Sequence, residues 1–344
     1  MSRVRFVASL LNALGPSGVA LAQVPDYSLY VFPPHERFPS VFATGVNERG
    51  ELVGYAGEVE FDSLAIPVVS ANDGGIRELE SPHDSLNFPL DLQGRGVAIG
   101  VSGQAPYAWI NGVAQPLLLR AGYAHGNAVA VSSSGVIVGS LTNDLFGTDF
   151  HVYWPRAGAE PHLLAGLDDD PQGIAVAVNA AGQIAGTAFS KGAVRWDDPT
   201  QPPLLVGGLA GSIGSEALGI NAAGDVCGRS TEVGFGSEAF LYLADTGEHA
   251  AIGHLSTDRY SLALAVNDTR LVVGAADAGE VLHAFAWQDG ELADLNDHVV
   301  SSNEPFAYLT SAVDVNNAGQ IAVQVVVTPG PVPTVRMGLL RPRQ

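Results

Sequence analysis

The chain carries little positive charge. Its 344 residues include 16 lysines and arginines against 36 aspartates and glutamates, for a formal net charge of −20. Binding to nucleic-acid phosphates needs clustered positive charge, and no cluster is visible. We therefore expect neither nucleic acid nor an anionic membrane surface as a partner, whereas a cationic, a neutral sugar-like or a peptide partner stays open. A strongly acidic surface also helps to keep an exported protein in solution.

Cysteine is almost missing as well. The single cysteine, Cys227, cannot form an intramolecular disulfide bond. A nucleophilic thiol would need a neighbouring base, and none is indicated, so we expect Cys227 to be a small buried hydrophobic residue.

Long apolar runs are confined to the N-terminus. Residues 1–22 combine Arg3 and Arg5 with the apolar stretch Phe6–Leu14 and an A-x-A site at Ala20–Ala22. This order is typical of a secretory signal peptide, the alternative being a short N-terminal helix. No other stretch reaches the ~20 apolar residues that cross a bilayer. We therefore expect an exported, soluble protein, either periplasmic or extracellular.

Familiar catalytic motifs are absent from the sequence. There is no G-x-S-x-G nucleophile elbow. The glycine-rich stretch Gly211–Ser215 is not followed by the lysine and helix of a phosphate-binding loop, so nucleotide use is not expected.

What the sequence does contain is a repeat, clearest at Ala217–Gly228. An anchor asparagine, Asn221, is followed by Gly224 three residues later and by Gly228 seven residues later. The corresponding anchors along the chain are Asn47, Gln93, Ser132, Asn179, Asn221, Asn267 and Asn316, at spacings of 46, 39, 47, 42, 46 and 49 residues. A near-constant period in this range indicates a repeat architecture.

Each copy predicts a β-hairpin. The asparagine side chain can bond backbone N–H groups ahead of it, and Gly224 can supply the positive φ of a short turn. Gly228 leaves room for a neighbouring backbone or a large side chain. Two copies depart from the frame, with Arg270 at the first glycine position and Val323 at the second. Because a positive φ strains arginine, we expect the turn at Arg270 to be built differently.

Two more strands follow each hairpin within one period. The third strands are expected at Pro106–Trp109, His151–Trp154, Ala193–Trp196, Glu238–Tyr242 and His283–Trp287, with weaker versions at Leu64–Ile66 and Met337–Leu340. Fourth strands are expected at stretches such as Leu117–Leu119 and Leu204–Val206, and the tryptophans are interpreted as packing between units. Four antiparallel strands in about 45 residues are typical of a propeller blade. We therefore predict an all-β fold, a single seven-bladed β-propeller over residues 23–344.

The repeat resembles a known family. Its pattern, A-x-x-[VI]-N-x-x-G-x-[VI]-x-G followed by H-A-F-x-W, is similar to that of the HAF-repeat family of exported bacterial proteins. The similarity is strongest at Leu262–Trp287 and next strongest at Ala217–Tyr242, and it extends over residues 40–342. It implies a secreted, propeller-like fold without assigned catalytic residues. The recurrence of His151 and His283 at the family's histidine position indicates a structural hydrogen bond.

The ring is expected to close through the chain's own beginning. The last unit offers only three strands, and the strand-like segment Tyr27–Phe32 precedes the first anchor. Supplying the fourth strand from this segment removes exposed sheet edges.

Candidate site residues lie in the connections that lead into the innermost strands. His35, His83 and His125 come from three successive units, and three imidazoles could hold a zinc ion. Asp168–Asp170 could bind Ca²⁺. The ligand-binding candidates are His35, Asp84, Asn127, Asp258 and Tyr308, and the catalytic candidates are His83, His125, Arg259 and Tyr260. Unrelated loop side chains are the alternative interpretation, because the offsets of the histidines from their anchors differ.

The sequence is compatible with three functions. The first is a secreted module that binds a small-molecule, carbohydrate or peptide ligand at the channel rim. The second is an exported lyase or hydrolase acting on a carbohydrate or small ester, with His83, His125 or His35 as base or metal ligand. The third is a structural surface protein.

Overall fold

The computed structural model describes residues 24–58, 64–71, 73–84, 86–94, 96–143, 147–167, 170–234, 236–257, 259–328 and 333–343. The predicted signal peptide lies outside these residues, as do Asp168, Asp169 and Asp258. Among the described residues, no helix is long and apolar enough to span a bilayer.

Seven sheets make up the fold, and six of them contain four consecutive antiparallel strands. The first strand is β1 (Tyr27–Val31). Blade 1 consists of β2 (Val41–Val46), β3 (Leu52–Ala56), β4 (Ile66–Ser70) and β5 (Ile76–Glu78). Blade 2 consists of β6 (Asn87–Gln93), β7 (Val97–Ser102), β8 (Ala105–Ile110) and β9 (Val113–Pro116). Blade 3 consists of β10 (Tyr123–Val131), β11 (Ile137–Asn143), β12 (Asp149–Trp154) and β13 (His162–Leu163). Blade 4 consists of β14 (Gly173–Val178), β15 (Ile184–Ala188), β16 (Gly192–Trp196) and β17 (Leu204–Leu205). Blade 5 consists of β18 (Gly214–Ile220), β19 (Val226–Thr231), β20 (Ser237–Tyr242) and β21 (His249–Gly253). Blade 6 consists of β22 (Ser261–Val266), β23 (Val272–Asp277), β24 (Leu282–Gln288) and β25 (Glu291–Asp294).

Blade 7 closes the ring. After a 3-10 helix (Leu295–His298) come β26 (Val299–Ser302), β27 (Tyr308–Val315), β28 (Ile321–Thr328) and β29 (Thr334–Pro342). The N-terminal β1 pairs antiparallel with β29 as the fourth strand, which confirms the predicted closure. A fifth strand was not foreseen, since β26 adds in parallel to the outer edge of β1. Asn303 extends this pairing, because its side chain accepts a hydrogen bond from the N–H of Val31 at 2.7 Å and donates one to the carbonyl of Val31 at 3.1 Å.

The hydrophobic core is divided among the interfaces between blades. One cluster, for example, joins Val41 and Leu52 of blade 1 to Met337 and Leu339 of blade 7. The four tryptophans are buried, as predicted for packing residues. Three of their indole N–H groups donate to a backbone carbonyl in the segment before their own blade. The pairs are Trp109 with Glu80, Trp154 with Leu118, and Trp196 with Ala165. Cys227 is fully buried on β19, in agreement with its predicted role.

Two strand predictions are displaced by a few residues. In blade 2 the fourth strand is Val113–Pro116 and not Leu117–Leu119, because Asn111 and Gly112 both have positive φ and reverse the chain in two residues. In blade 1 the third strand is Ile66–Ser70, which begins where the predicted stretch ends.

The expectation for Arg270 is wrong. Its φ is 62°, so it adopts the same left-handed conformation as the glycines that it replaces. Its guanidinium is fixed by the fully buried carboxylate of Asp225, at 2.8 Å, and by Asp245, at 3.1 Å. We infer that these ion pairs offset the backbone strain. Burial alone would raise the pKa of Asp225, but the bonds from Arg270, the Ala244 N–H and Asn221 hold it below its ordinary value.

At the second glycine of the frame the nearest neighbour is backbone, and in blades 4 and 6 an aromatic side chain, Trp196 or Phe285, also lies 2.9 Å from the position of a Cβ. A Cβ on Gly228 would lie 1.9 Å from the carbonyl oxygen of Glu216 on the adjacent inner strand. The corresponding glycines of blades 1 to 4 and 6 meet the equivalent carbonyl at 1.8 to 2.5 Å. In blade 7, where Val323 takes this position, the inner strand has an extra register shift and the residue paired with Val323 on β29 is Gly338.

Candidate ligand cavity in the central channel

All seven innermost strands line the central channel. We call the face of the ring where they begin the start face, and the face where they end, at the anchor residues, the end face. A cavity of about 500 Å³ lies toward the end face, lined by the last residues of every inner strand and by the turns that follow.

A bulge in each inner strand shapes the wall of this cavity. The pairing with the second strand skips one residue, three positions before the anchor, in all seven blades. A bulged residue is left out of the ladder, which re-aims its side chain. These half-buried residues, here called the collar, are Thr44, Leu90, Val129, Val176, Leu218, Leu264 and Val313. The collar is aliphatic except for Thr44.

Two carboxyl groups follow the collar toward the end face. Asp91 on β6 accepts a hydrogen bond from the N–H of Val131 in the next blade, at 2.8 Å. Asp314 on β27 accepts one from the N–H of Val46, also in the next blade and also at 2.8 Å. Each carboxyl group therefore joins two blades while it lines the cavity. We call Asp91 and Asp314 the aspartate pair.

Burial raises the pKa of both members of the aspartate pair. Both side chains retain a surface toward the channel, yet they are surrounded by protein atoms. For Asp314, burial and the negative charge of Asp91 outweigh the bonds from the N–H groups of Val46 and Val315, and raise the pKa to about 7. The pKa of Asp91 is also raised, because burial outweighs the hydrogen bonds that its carboxylate accepts from backbone N–H groups. Asp314 therefore exchanges its proton near neutral pH.

The mouth of the cavity is also acidic. Glu48 and Asp268 follow their anchors directly and are exposed. Asp268 accepts from the N–H of Ala222 at 2.8 Å, and Glu48 accepts from the side-chain amide of Asn317 at 3.0 Å. Among the described residues that line the cavity, none is Lys, Arg or His. The charged groups described there are thus of one sign, which favours a cation.

A chain of asparagines surrounds the mouth. The Asn221 side-chain oxygen accepts from the N–H groups of Ala223 and Asp225, which confirms the predicted turn-forming role. Its amide nitrogen reaches the next blade and donates to the carbonyl of Asn267 at 3.2 Å. The same link between blades runs from Asn179 to Asn221, from Asn267 to Asn316 and from Asn316 to Asn47. It connects five blades and is missing where Gln93 and Ser132 replace the anchor.

The predicted site residues lie elsewhere, toward the start face. His35 is largely buried, and its Nδ1 accepts from the N–H of Arg37 at 3.1 Å. Its Nε2 therefore carries the proton and donates to Glu78 at 2.7 Å. Both ring nitrogens are used in protein bonds, as expected of a structural histidine.

The other two histidines are exposed. His83 packs edge-on against Tyr107, with ring centroids 6.0 Å apart, and His125 lies on β10 opposite Thr142. Among the described residues, no three His, Cys, Asp or Glu side chains form a group that could hold a metal ion. The proposed zinc set of His35, His83 and His125 is therefore not brought together.

The remaining candidates are also scattered around the ring. Arg259 is exposed and pairs with Glu232 at 2.7 Å, and it lines a shallow depression together with Tyr260. Tyr308 stacks on His283 at 5.9 Å. Asp84 is exposed and Asn127 is half-buried on β10. Of the proposed calcium ligands, Asp170 accepts from the N–H and hydroxyl of Ser190.

The two histidines that recur at one repeat position, His151 and His283, do make structural contacts. His151 is buried and its Nε2 lies 3.1 Å from the carbonyl of Thr187 in the next blade. His283 bonds Asp294 at 2.6 Å.

Sequence reasoning missed the aspartate pair, although a signal was present. At the position two before the anchor, the other copies have Gly45, Ala130, Ala177, Gly219 and Ala265. Aligning the copies on their anchors would have shown two carboxyl groups in a column of the smallest residues.

Comparisons with known proteins identify the fold. No family model and no curated protein sequence matches the chain. Among solved structures, an oligogalacturonate lyase in complex with manganese has a TM-score of 0.54 at 10% identity, over 94% of this chain and 98% of that chain. YCF48 bound to D1 peptide has a TM-score of 0.52 at 10% identity, over 94% and 99%. A chain of the mitotic checkpoint complex has a TM-score of 0.53 at 11% identity, over 96% and 95%. These similarities, together with the seven sheets, define the protein as a seven-bladed β-propeller.

Proposed function

We propose that this propeller is a binding module whose ligand occupies the end-face cavity. The cavity itself carries the proposal: it measures about 500 Å³, is surrounded by seven strands and open at its mouth, and has an aliphatic collar with carboxyl groups beside it. Small-molecule sites typically measure roughly 300 to 1,000 Å³ and combine apolar walls with a few placed polar groups. The predicted binding function is retained, and its proposed location moves from the start face to the end face.

Filling the cavity tests this proposal. Val176→Phe enlarges a collar residue that lines the channel and also packs against the hydrophobic cluster between blades 4 and 5. We expect ligand binding to be lost, and circular dichroism checks that the variant is folded. The measurement is the ligand-induced rise in Tm across a library of amines, sugars, carboxylates and short peptides. Val113→Phe on β9 is the matched control, because Val113 is 54% exposed and lies on an outer strand. Compounds that stabilise both variants equally would show that the site lies outside the channel.

The enzymatic alternative, a lyase or hydrolase, stays a prediction. It depends on a histidine from the first three blades (His35, His83 or His125) acting with Arg259 or Tyr260 at blade 6. These residues come from different parts of the ring, so the geometry favours binding.

We also propose that the protein is exported. The N-terminal sequence pattern supports this. When the full chain is expressed in a bacterial host, the product should appear outside the cytoplasm. Its intact mass should be that of a chain that begins at Gln23. An uncleaved cytoplasmic product would contradict export.

A further inference from the structure

The aspartate pair flanks a single segment of blade 1. An ideal Cβ on Gly45 would lie 3.5 Å from Oδ1 of Asp91, and the N–H of the next residue, Val46, is bonded to Asp314. Blade 1 lies between the blades that carry the two aspartates. Both carboxyl groups thus lie in the same part of the channel wall.

No described cation compensates the pair. The other titratable groups around it are Glu48 on the turn after β2, Asp268 on the turn after β22 and Cys227 on β19. Burial raises the pKa of the Cys227 thiol, which keeps it neutral. Arg49, on the same turn as Glu48, lies over Gly94 and outside the cavity lining. When both aspartates are ionised, their charge is therefore balanced only by backbone N–H groups.

The collar determines what kind of cation fits. A metal ion would need several oxygen or nitrogen ligands, and no described group supplies three. An alkylammonium ion instead needs an apolar wall for its carbon chain and carboxylates for its N–H groups. The collar and the aspartate pair supply these on consecutive levels of one cavity.

Resting on the proposed function, we infer that the ligand is an organic cation whose ammonium group replaces a proton held by the aspartate pair. Its apolar body lies against the collar. On binding, the ammonium ion enters with its positive charge, one carboxyl group releases its proton to solvent, and the net charge of the site is unchanged. Because Asp314 holds its proton up to a pKa of about 7, binding competes with protons below that pH.

The test is calorimetric titration of the full protein with n-hexylammonium, and with 1-hexanol and hexanoate as neutral and anionic probes. We expect n-hexylammonium to bind at least tenfold more tightly than either probe. Its Kd should fall about tenfold between pH 6 and pH 8, as expected for competition with one proton at a pKa of about 7. At pH 6, buffers of different ionisation enthalpy should show release of a proton on binding.

Variants at the pair complete the test. Asp314→Asn should raise the Kd at pH 8 at least tenfold and remove the pH dependence, and Asp91→Asn should act in the same direction. Asp289→Asn, in an exposed turn, should change neither. Proton release is measured on the unaltered protein, so the inference can be judged even if a variant does not fold.

The inference would be overturned by equal binding of hexanol, by a Kd independent of pH, or by binding of Mn²⁺ without binding of n-hexylammonium. Failure of all probes to bind would overturn it too. The binding-module proposal has a separate test: it fails if Val176→Phe abolishes the binding of no compound in the library. If Val176→Phe abolishes the binding of a neutral ligand, the binding-module proposal is supported and the inference of a cationic ligand is wrong.

Discussion

Single residues hold the blades together at the end face. The Asn221 side chain uses its oxygen for two N–H groups of its own turn, and its nitrogen for Asp225 and for the next blade. The anchor is 3% exposed, so water cannot replace these partners. An asparagine is suited to this position because it both accepts and donates.

We expect Asn221→Ala to lower the free energy of unfolding by about 2–4 kcal/mol, because buried N–H and carbonyl groups lose their partners. Ser132→Ala is the matched comparison. Ser132 occupies the same position in blade 3, but accepts only from the N–H of Val136 at 3.1 Å and shares a bond with Ser134. Its loss should cost about 1 kcal/mol. Urea unfolding measures both values, and equal costs would contradict the role assigned to the links between blades.

At the scale of the hairpin, the second glycine lets the second strand approach the bulged inner strand. Gly228→Ala would place a methyl group 1.9 Å from the backbone oxygen of Glu216. The backbone must then shift, and we expect a loss of more than about 3 kcal/mol in the free energy of unfolding.

Gly214→Ala is the control within the same hairpin. Its Cβ would meet only the side chain of Thr231 at 3.8 Å, an ordinary contact, and its φ is not in the left-handed region. We expect a change of less than about 0.5 kcal/mol, again by urea unfolding. A comparable loss in both variants would show that the glycine position is not set by this contact.

For the whole molecule, the repeat was enough to predict the ring. Seven anchors and four-strand units gave the blade number, and the missing strand in the last unit gave the closure by Tyr27–Val31. These features are periodic, so each copy supports the others. Deviations such as β26, which belongs to one blade only, have no counterpart among the other strands that the structure describes, and were not predictable from the period.

The site was harder to predict because the repeat pattern does not show at which face of the ring a ligand cavity opens. Residues before or at the start of the inner strands, such as His83 and His125, attracted attention by their chemistry. The cavity instead lies at the opposite ends of those strands, and its wall consists of bulged residues. Neither the bulge nor the burial of Asp314 is visible from residue type. The alignment of copies could have indicated Asp91 and Asp314, but not their surroundings.

The most direct measurement is a crystal structure of the protein with a compound that raises its Tm. We expect electron density for that compound inside the channel, between the collar and the turns of the end face, with a polar group near Asp91 or Asp314. Density on the start face, or on the outer strands of a blade with the channel unchanged, would contradict it.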